Sequence, residues 1–473
     1  MTNKKKVILI DTCSTWLKKN EGQTDQVVLP LGLMYLSSHL KSIFGDSVET
    51  RIIHSVVDIE SDEKLKDTIR TEEPDIIGIR TQTVYRNEFH NVASIAKENS
   101  GALVIAGGPH VSSDLDDVLD SAVDIAVIGE GEYSFAEIVA GKRIQDISGI
   151  AYLGDGKIIR TMPRIPIDNL DTIPFPDYDD TDMDKYESNL SYGFNFRKQG
   201  VITTSRGCHF TCDFCHTTLG KKSRLRSAEN VLDEIQGLSD RGIKDIYFID
   251  DIFNINPRRS LEIFEGISER NLSLRLYFVN GLRGDLVNEE FVDAMVEAGT
   301  IWVSYAIETA SPRLQKEIGK HLNLSKVRKA IEYSAQKGII VNYWGLLGSH
   351  TETEKEAHQT IDFMESLPPS VIPYLFALKP FKGTEAHTKA QSTDEDLGTV
   401  YHNFAHLFRK DRFYIDVVHR WRDSIWNENR LQRSTSILQN NGYSNEEIKA
   451  AYSVLYDSMK PSQVNKLLGV KNE

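Results

Sequence analysis

The chain has 473 residues, of which 40% are hydrophobic and 26% are charged, with 14 prolines and 31 glycines. This composition is typical of folded protein, and the length predicts two to four domains rather than a single module. The 55 lysines and arginines are outnumbered by 69 aspartates and glutamates, giving a net charge of -14. That balance argues against a nucleic acid as the main partner, because phosphate contacts need clustered cations.

No apolar run reaches the roughly 18 residues of a membrane span. The basic start at residues 4–6 leads into an apolar run that is too short for a signal peptide. We therefore expect a soluble cytoplasmic protein.

The first 140 residues alternate short apolar runs with amphipathic helical patterns, the latter at 31–43, 63–71, 88–97 and 114–119. Alternation of this kind predicts βαβ crossovers and a parallel, doubly wound sheet, in which ligands bind outside the carboxyl ends of the strands. The five predicted strands lie at 7–10, 50–53, 76–79, 103–106 and 125–128.

Unusual residues gather at the ends of three of these strands. A glycine pair lets the backbone approach a large ligand closely, although in any one loop it could equally serve a tight turn. Three such loops on one edge of a sheet predict a binding site. The loops are Thr81, Gln82 and Thr83 after the third strand, Gly107, Gly108, Pro109 and His110 after the fourth, and Gly129, Glu130, Gly131 and Glu132 after the fifth.

The pattern changes between residues 147 and 191. A hairpin-like stretch at 153–156 precedes a segment at 165–178 that holds too many prolines for a helix or a central strand. We interpret this region as a linker that packs on the surface between two domains.

A second series of apolar strands and helices starts at Gly200. It resembles part of a (β/α) barrel, whose chemistry lies at the carboxyl ends of its strands. The remainder, from about residue 393, predicts helices. The six strands lie at 201–203, 245–249, 276–279, 302–307, 339–341 and 374–378, with helical patterns that include 228–238, 291–298 and 324–336.

These patterns predict four parts along the chain: a first α/β domain at 1–140, a linker at 141–195, a second domain with a partial (β/α)6 barrel at 196–390, and a small helical domain at 391–473. The sequence does not indicate whether the last part is a cap, a dimer surface or a lid. Trp302 and Trp344, which flank barrel strands, are predicted as core residues, with pocket lining as the alternative.

Three of the four cysteines, Cys208, Cys212 and Cys215, follow the first strand of the second series. Such crowding is typical of a metal or cluster site in a reducing compartment. Three thiolates spaced in this way can hold three irons of a cubane and leave the fourth iron open. The alternative is a zinc site completed by His209 or His216, but zinc sites usually pair two Cys-x2-Cys halves and this chain has no second half.

This loop, with Phe214 directly before its third cysteine, resembles the signature of the radical S-adenosylmethionine enzymes. The resemblance implies that an acidic pair replacing the family's Gly-Gly-Glu accepts the methionine ammonium, that a basic residue reaches the carboxylate, and that a glutamate contacts the ribose. The positions it implies for S-adenosylmethionine are Phe214, Asp250, Asp251, Arg283, Glu308, Ser311 and Gly348.

Two later elements extend this resemblance. Residues 348–353 are similar to the family's Gly-x-Pro-Gly-Glu-Thr, but His350 and Thr351 replace the proline and the second glycine, which leaves the conformation of this loop and its adenine contact open. Residues 380–384 resemble the family's closing Pro-Phe-x-Gly-Thr turn.

The first domain, with its Gly107 and Gly129 loops and the linker at 173–177, is similar to the cobalamin-binding members of that family. The resemblance spans residues 5–390 and implies that the three loops bind cobalamin. No Asp-x-His-x-x-Gly follows the first strand, so the cobalt should lack a histidine lower ligand. Cys13 lies near the same edge, and we expect an inert thiol there rather than a contact with the cofactor.

The resemblance implies cleavage of S-adenosylmethionine to a 5′-deoxyadenosyl radical, and methylation of an unactivated carbon by a methyl group carried on cobalt. The implied cofactors are a [4Fe–4S] cluster, S-adenosylmethionine and cobalamin, with a flavodoxin- or ferredoxin-type electron donor. Alternatives are a radical cyclase or ring-rearrangement enzyme with the same cofactors, and a cobalamin-binding sensor. The substrate, whether small molecule, natural-product intermediate or peptide, stays open, and the sequence assigns no catalytic acid or base.

Overall fold

The protein is described from a computed structural model, which forms two compact units. The first unit comprises Met1–Asn189 with His216–Arg224, and the second comprises Leu190–Cys215 with Leu225–Glu473. The described residues are 4–12, 27–119, 122–187, 189, 191, 193, 195–216, 218–371, 374–391, 407, 410–425 and 427–457. Cys13 lies outside them, so the expectation for its thiol stays a prediction.

The first unit contains a seven-stranded sheet in the order β2-β1-β3-β4-β5-β6-β7. The first five strands pair in parallel, whereas β6 and β7 form a hairpin that joins antiparallel to β5. The predicted parallel α/β sheet is thus confirmed, and the sheet continues past residue 140 into the segment predicted as linker. The strands are β1 Lys5–Asp11, β2 Val48–His54, β3 Ile76–Arg80, β4 Leu103–Gly107, β5 Ile125–Val127, β6 Ile150–Gly154 and β7 Lys157–Arg160.

Helices cover the sheet of the first unit, and this explains why its strands read as continuous apolar runs. In β1, Ile8 and Ile10 belong to one buried cluster, while Val7 and Leu9 on the alternate face are buried as well. Both faces of the strand therefore need apolar side chains. The helices are α1 Leu31–Phe44, α2 Asp62–Glu72, α3 Arg86–Asn99, α4 Pro109–Ser113, α5 Leu115–Leu119, α6 Glu132–Val139 and α7 Asp184–Glu187.

The proline-rich segment is anchored to α1 through Asp177. The Asp177 backbone N–H donates to the carbonyl of Met34 (3.2 Å), and the Ser37 hydroxyl donates to the Asp177 carboxylate (2.8 Å). The Lys41 ammonium lies 2.7 Å from the same carboxylate. This part of the predicted linker is consequently a fixed piece of the first unit.

The second unit contains a six-stranded sheet in the order β15-β14-β13-β12-β11-β8, with every pair parallel. All six predicted strands are present. Two short strands, β9 Ser205–Arg206 and β10 Arg224–Leu225, form a separate pair. The sheet strands are β8 Gln199–Ile202, β11 Asp245–Phe248, β12 Arg275–Leu282, β13 Thr300–Glu308, β14 Ile340–Leu347 and β15 Tyr374–Ala377.

The C-terminal helices belong to the same compact unit as this sheet rather than to a separate one. The Tyr443 hydroxyl, between the last two helices, donates to the carbonyl of Gly193 at 2.7 Å. None of the described helices is long and apolar enough to cross a membrane. The helices are α8 Ala228–Asp240, α9 Pro257–Glu269, α10 Glu289–Glu297, α11 Pro312–Glu317, α12 Leu324–Gln336, α13 Glu354–Glu365, α14 Glu385–Gln391, α15 Phe413–Ile425, α16 Glu428–Asn440 and α17 Asn445–Asp457.

Candidate functional site

The three clustered cysteines lie on one loop that follows β9 in the second unit. This loop packs closely against Gly319, because the Cys212 thiol lies 4.0 Å from the Gly319 carbonyl oxygen. A Cβ atom at Gly319 would lie only 2.3 Å from the carbonyl oxygen of Thr211, and the residue has φ +69°. Glycine is therefore required there, a requirement that sequence reasoning missed.

The chemistry of this loop fits a cluster better than a single ion. Its three cysteine thiols are half-buried at Cys208 and Cys212 and exposed at Cys215. A cubane distributes its cysteines over three irons, whereas zinc requires ligands around one point. Burial raises the pKa of the Cys212 thiol, and the nearby Lys320 ammonium opposes that rise, as it does at Cys208 and Cys215.

Lys320 is the functional candidate that the sequence did not reveal. Its ammonium lies 3.0 Å from the Glu308 carboxylate, and both side chains are largely buried. Burial alone would lower the pKa of Lys320, but the Glu308 carboxylate raises it, so the ammonium stays charged. Glu308 ends β13 with φ +65°, a strained value for a residue other than glycine.

The predicted acidic pair divides into two different environments. Asp250 is only 3% exposed, and its Oδ1 accepts hydrogen bonds from the Thr204 N–H (2.9 Å), the Thr204 hydroxyl (2.8 Å) and the Ser205 hydroxyl (2.5 Å). The Arg259 guanidinium donates to the Thr204 carbonyl at 2.8 Å. Asp250 thus fixes the residues that lead into the cysteine loop, whereas Asp251 is exposed.

Arg283 packs against the cysteine loop from the neighbouring strand end. Its guanidinium lies 3.8 Å from the centre of the Phe210 ring and donates to the Asp285 carboxylate (3.0 Å) and the His321 carbonyl (3.2 Å). Its donors are therefore largely used within the protein. Phe214 lies half-buried on the same loop.

Ser311 is buried and its hydroxyl is occupied by neighbouring protein groups. It donates to the Glu356 carboxylate at 2.6 Å and accepts from the Leu314 N–H at 3.2 Å, capping α11. Arg313 donates to the same carboxylate at 2.8 Å. Ser311 therefore lies just after β13, and its hydroxyl caps α11 and binds Glu356.

Gly348 opens the loop that follows β14, with φ +92°. Its N–H donates to the Glu352 carboxyl group at 2.6 Å, and the Tyr414 hydroxyl from α15 donates to the same group at 2.9 Å. Burial raises the pKa of Glu352 to about 7. A C-terminal helix therefore helps to fix this loop.

In the first unit, two of the three predicted cobalamin loops touch each other at the carboxyl edge of the sheet. The His110 N–H donates to the Thr81 carbonyl at 3.4 Å. Gly108 has φ +100°, and a Cβ atom there would lie 2.8 Å from the same carbonyl oxygen. The His110 side chain is buried, and its Nε2 donates to Asp117 at 2.8 Å.

The third loop is connected to the second because the Gly129 N–H donates to the Ser112 hydroxyl at 3.0 Å. The Glu130 carboxylate accepts from the Ile167 N–H (2.9 Å) and from the Arg224 guanidinium (2.7 Å), so it fixes the linker. Buried residues of the three loops are Thr81, His110 and Glu132, and half-buried ones are Gln82, Thr83, Gly107, Gly108, Pro109, Gly129, Glu130 and Gly131.

An ion pair that sequence reasoning missed lies at the same edge. The Arg80 guanidinium donates to the buried Asp11 carboxylate at 2.8 Å. A Cβ atom at Gly108 would lie 3.2 Å from the Arg80 side chain, and one at Gly32 would lie 3.9 Å from it. A charged residue directly after the apolar run of each of two neighbouring strands was the available signal.

Comparison with known proteins bears directly on these two units. Residues 22–139 match the B12 binding domain, and residues 202–364 match the radical SAM superfamily. An uncharacterized methyltransferase of Pyrococcus horikoshii, PH0819, is 34% identical over 365 residues, which cover 75% of this chain and 77% of that protein. The anaerobic magnesium-protoporphyrin IX monomethyl ester cyclase of Rubrivivax gelatinosus is 27% identical over 347 residues, covering 70% of this chain and 61% of the cyclase.

The fold also matches a solved structure, the radical S-adenosylmethionine methyltransferase TsrM from Kitasatospora setae with cobalamin and a [4Fe–4S] cluster bound. The TM-score is 0.68 at 17% identity, covering 82% of this chain and 75% of TsrM. TsrM has also been solved with a tryptophan substrate and an analogue of S-adenosylmethionine, and that structure gives a TM-score of 0.70 at 18% identity, covering 83% of this chain and 77% of TsrM.

Both domain types and the extent of the PH0819 match define the class: the chain belongs to the cobalamin-dependent radical S-adenosylmethionine enzymes. The reported relatives in this family include both a methyltransferase and a cyclase. The family predicted from the sequence is therefore confirmed, as are its cofactors: the cluster, S-adenosylmethionine and cobalamin.

Proposed function

We propose that the protein transfers a methyl group from S-adenosylmethionine, by way of cobalamin, to an unactivated carbon of a small-molecule substrate. One observation supports this proposal: the second unit contains the cysteine loop, Asp251 and the Glu308–Lys320 ion pair. The first unit of the same chain matches the B12 binding domain. The reduced cluster would supply the electron that cleaves S-adenosylmethionine, and cobalamin would carry the methyl group.

Within the second unit, charge complementarity supports a particular orientation of S-adenosylmethionine. The exposed Asp251 carboxylate would accept the methionine ammonium, and Lys320 would attract the carboxylate while Glu308 accepts the ribose hydroxyls. Because the ion pair is largely buried, its charges act with little screening by solvent. The strained Glu308 backbone supports a role in binding rather than in folding.

We further propose that Cys208, Cys212 and Cys215 hold the cluster and that the three loops of the first unit hold cobalamin without a histidine on the lower face of the cobalt. The loops contain one histidine, His110, which is buried and hydrogen-bonded to Asp117. A flavodoxin- or ferredoxin-type protein would supply the electrons. TsrM was solved with tryptophan, and that precedent favours a small-molecule substrate over a macromolecule.

The test compares the anaerobically reconstituted protein with Cys212→Ala. We expect the wild type to contain four irons per chain, to retain cobalamin and to form 5′-deoxyadenosine, in line with a cubane whose open iron binds S-adenosylmethionine. The variant should keep its cobalamin but lose 5′-deoxyadenosine formation. Equal formation of 5′-deoxyadenosine by both proteins would refute the proposed site.

A further inference from the structure

The last two strands of the second sheet carry a patch of large apolar side chains on one face. Register pairs Trp344 with Tyr374 and Leu346 with Phe376, and paired residues on parallel strands point to the same side. We call these four residues the aromatic wall. All four side chains are partly or substantially exposed, whereas the alternating residues Tyr343, Gly345, Leu347 and Leu375 are buried.

The aromatic wall lies on the side of the sheet away from the covering helix. Gly345, which alternates with the wall residues, faces the opposite way, since a Cβ atom there would lie 3.0 Å from the Met364 sulfur and 3.2 Å from Thr360, both on α13. The wall therefore belongs to the inner face of the sheet, which α13 does not cover.

Trp344 extends from the wall across the inner face of the sheet. A Cβ atom at Gly281 on β12 would lie 2.8 Å from the six-membered ring of Trp344 and 3.4 Å from the Cβ of Ala306 on β13. Small residues on these two strands thus leave room for the indole. The prediction that Trp302 is core holds, whereas Trp344 lies on the inner face and is only partly buried.

The exposed member of the wall is Phe376, which is 45% exposed. Its ring lies nearly parallel to that of Tyr374, with centres 5.3 Å apart and planes 19° apart, and meets Trp344 edge to face at 6.3 Å. A contiguous patch of exposed apolar side chains is typical of a ligand or partner site, whereas a single exposed residue needs no explanation.

The wall is continuous with the proposed S-adenosylmethionine site along two strands. Ala306, beneath Trp344, is two residues before Glu308, a separation of about 7 Å along a strand. Leu346 is likewise two residues before Gly348. A substrate held against the wall would consequently be near the position at which the 5′-deoxyadenosyl radical forms.

We propose that the aromatic wall binds a flat, uncharged aromatic or heteroaromatic ring of the substrate, with Phe376 as the stacking surface. The four side chains present no formal charge, and parallel or edge-to-face contacts with a ring are the interactions that they favour. This inference rests on the proposed function, since it assigns the substrate class of the same site.

The test uses indole as the probe, with cyclohexanol as a non-aromatic apolar comparison, on reconstituted protein under anaerobic conditions. We expect indole to bind the wild type at least tenfold more tightly than cyclohexanol, measured by saturation-transfer NMR titration. Phe376→Leu, which keeps apolar area but removes the ring, should abolish that preference. Phe175→Ala, at a comparably exposed phenylalanine of the first unit, should leave it unchanged.

5′-Deoxyadenosine is measured in parallel samples of the same proteins that also contain S-adenosylmethionine and a reductant, which separates the two hypotheses. The aromatic wall is refuted if indole shows no preference over cyclohexanol, or if Phe376→Leu retains the preference. Absence of 5′-deoxyadenosine from the wild type would instead refute the proposed function, and indole binding that depends on Phe376 would still support the ring site.

Discussion

Replacing Glu352 by glutamine should make the protein more stable at pH 8 than the wild type, but not at pH 4.5. Burial raises the pKa of Glu352 from 4.5 to about 7, so the fold favours the neutral acid. Between those pH values the folded state binds more protons than the unfolded chain, and the free energy of unfolding must fall as pH rises. A pKa difference of about 2.5, at about 1.4 kcal/mol for each pKa unit, corresponds to about 3 kcal/mol.

Glutamine removes this penalty because it cannot ionise, and its amide oxygen can still accept hydrogen bonds from Gly348 and Tyr414. The assay is denaturant unfolding of wild type and Glu352→Gln at pH 4.5 and pH 8. Other groups titrate equally in both proteins, so the difference between the two pH responses isolates Glu352. Glu354→Gln, at an exposed position, is the control. Identical pH responses of wild type and Glu352→Gln would refute the reasoning.

Two further predictions concern the two cofactor sites. Lys320→Met should raise the Kd for S-adenosylmethionine at least tenfold, measured by calorimetry, without changing the iron content, measured by iron analysis. Lys316→Met, at an exposed position on α11, should change neither the Kd nor the iron content. Gly108→Ala should lower cobalamin retention, because its Cβ would lie 2.8 Å from the Thr81 carbonyl oxygen at φ +100°, while Gly101→Ala, outside the three loops, meets no atom within 4 Å and should retain cobalamin. Equal retention by both variants would contradict the account of that loop.

The sheets could be predicted from the sequence because a strand that is buried on both faces consists of consecutive apolar residues. The sequence predicts a hairpin-like stretch at 153–156, but local pattern does not show that this hairpin joins the first sheet by pairing with β5. The cysteine loop was found because its residues are adjacent in the chain.

Lys320 could not be found in that way, since its partner Glu308 lies twelve positions earlier and only the fold brings the two together. Asp250 illustrates the converse limitation. Its residue type and position suggest a ligand contact, yet its Oδ1 is used by Thr204 and Ser205. Only its buried Oδ2 has no hydrogen-bond partner among the described residues. Pattern identifies which residues reach an edge of a sheet, but not which hydrogen bonds they have already made.

The most direct test of the central claim supplies reconstituted protein, cobalamin and a reductant with methyl-labelled S-adenosylmethionine and a ring-containing candidate substrate. 5′-Deoxyadenosine and S-adenosylhomocysteine are then quantified together. The account predicts that both form in equal amounts and that the label appears on a carbon of the product. Formation of 5′-deoxyadenosine with no S-adenosylhomocysteine would contradict methyl transfer and favour a radical cyclisation or rearrangement.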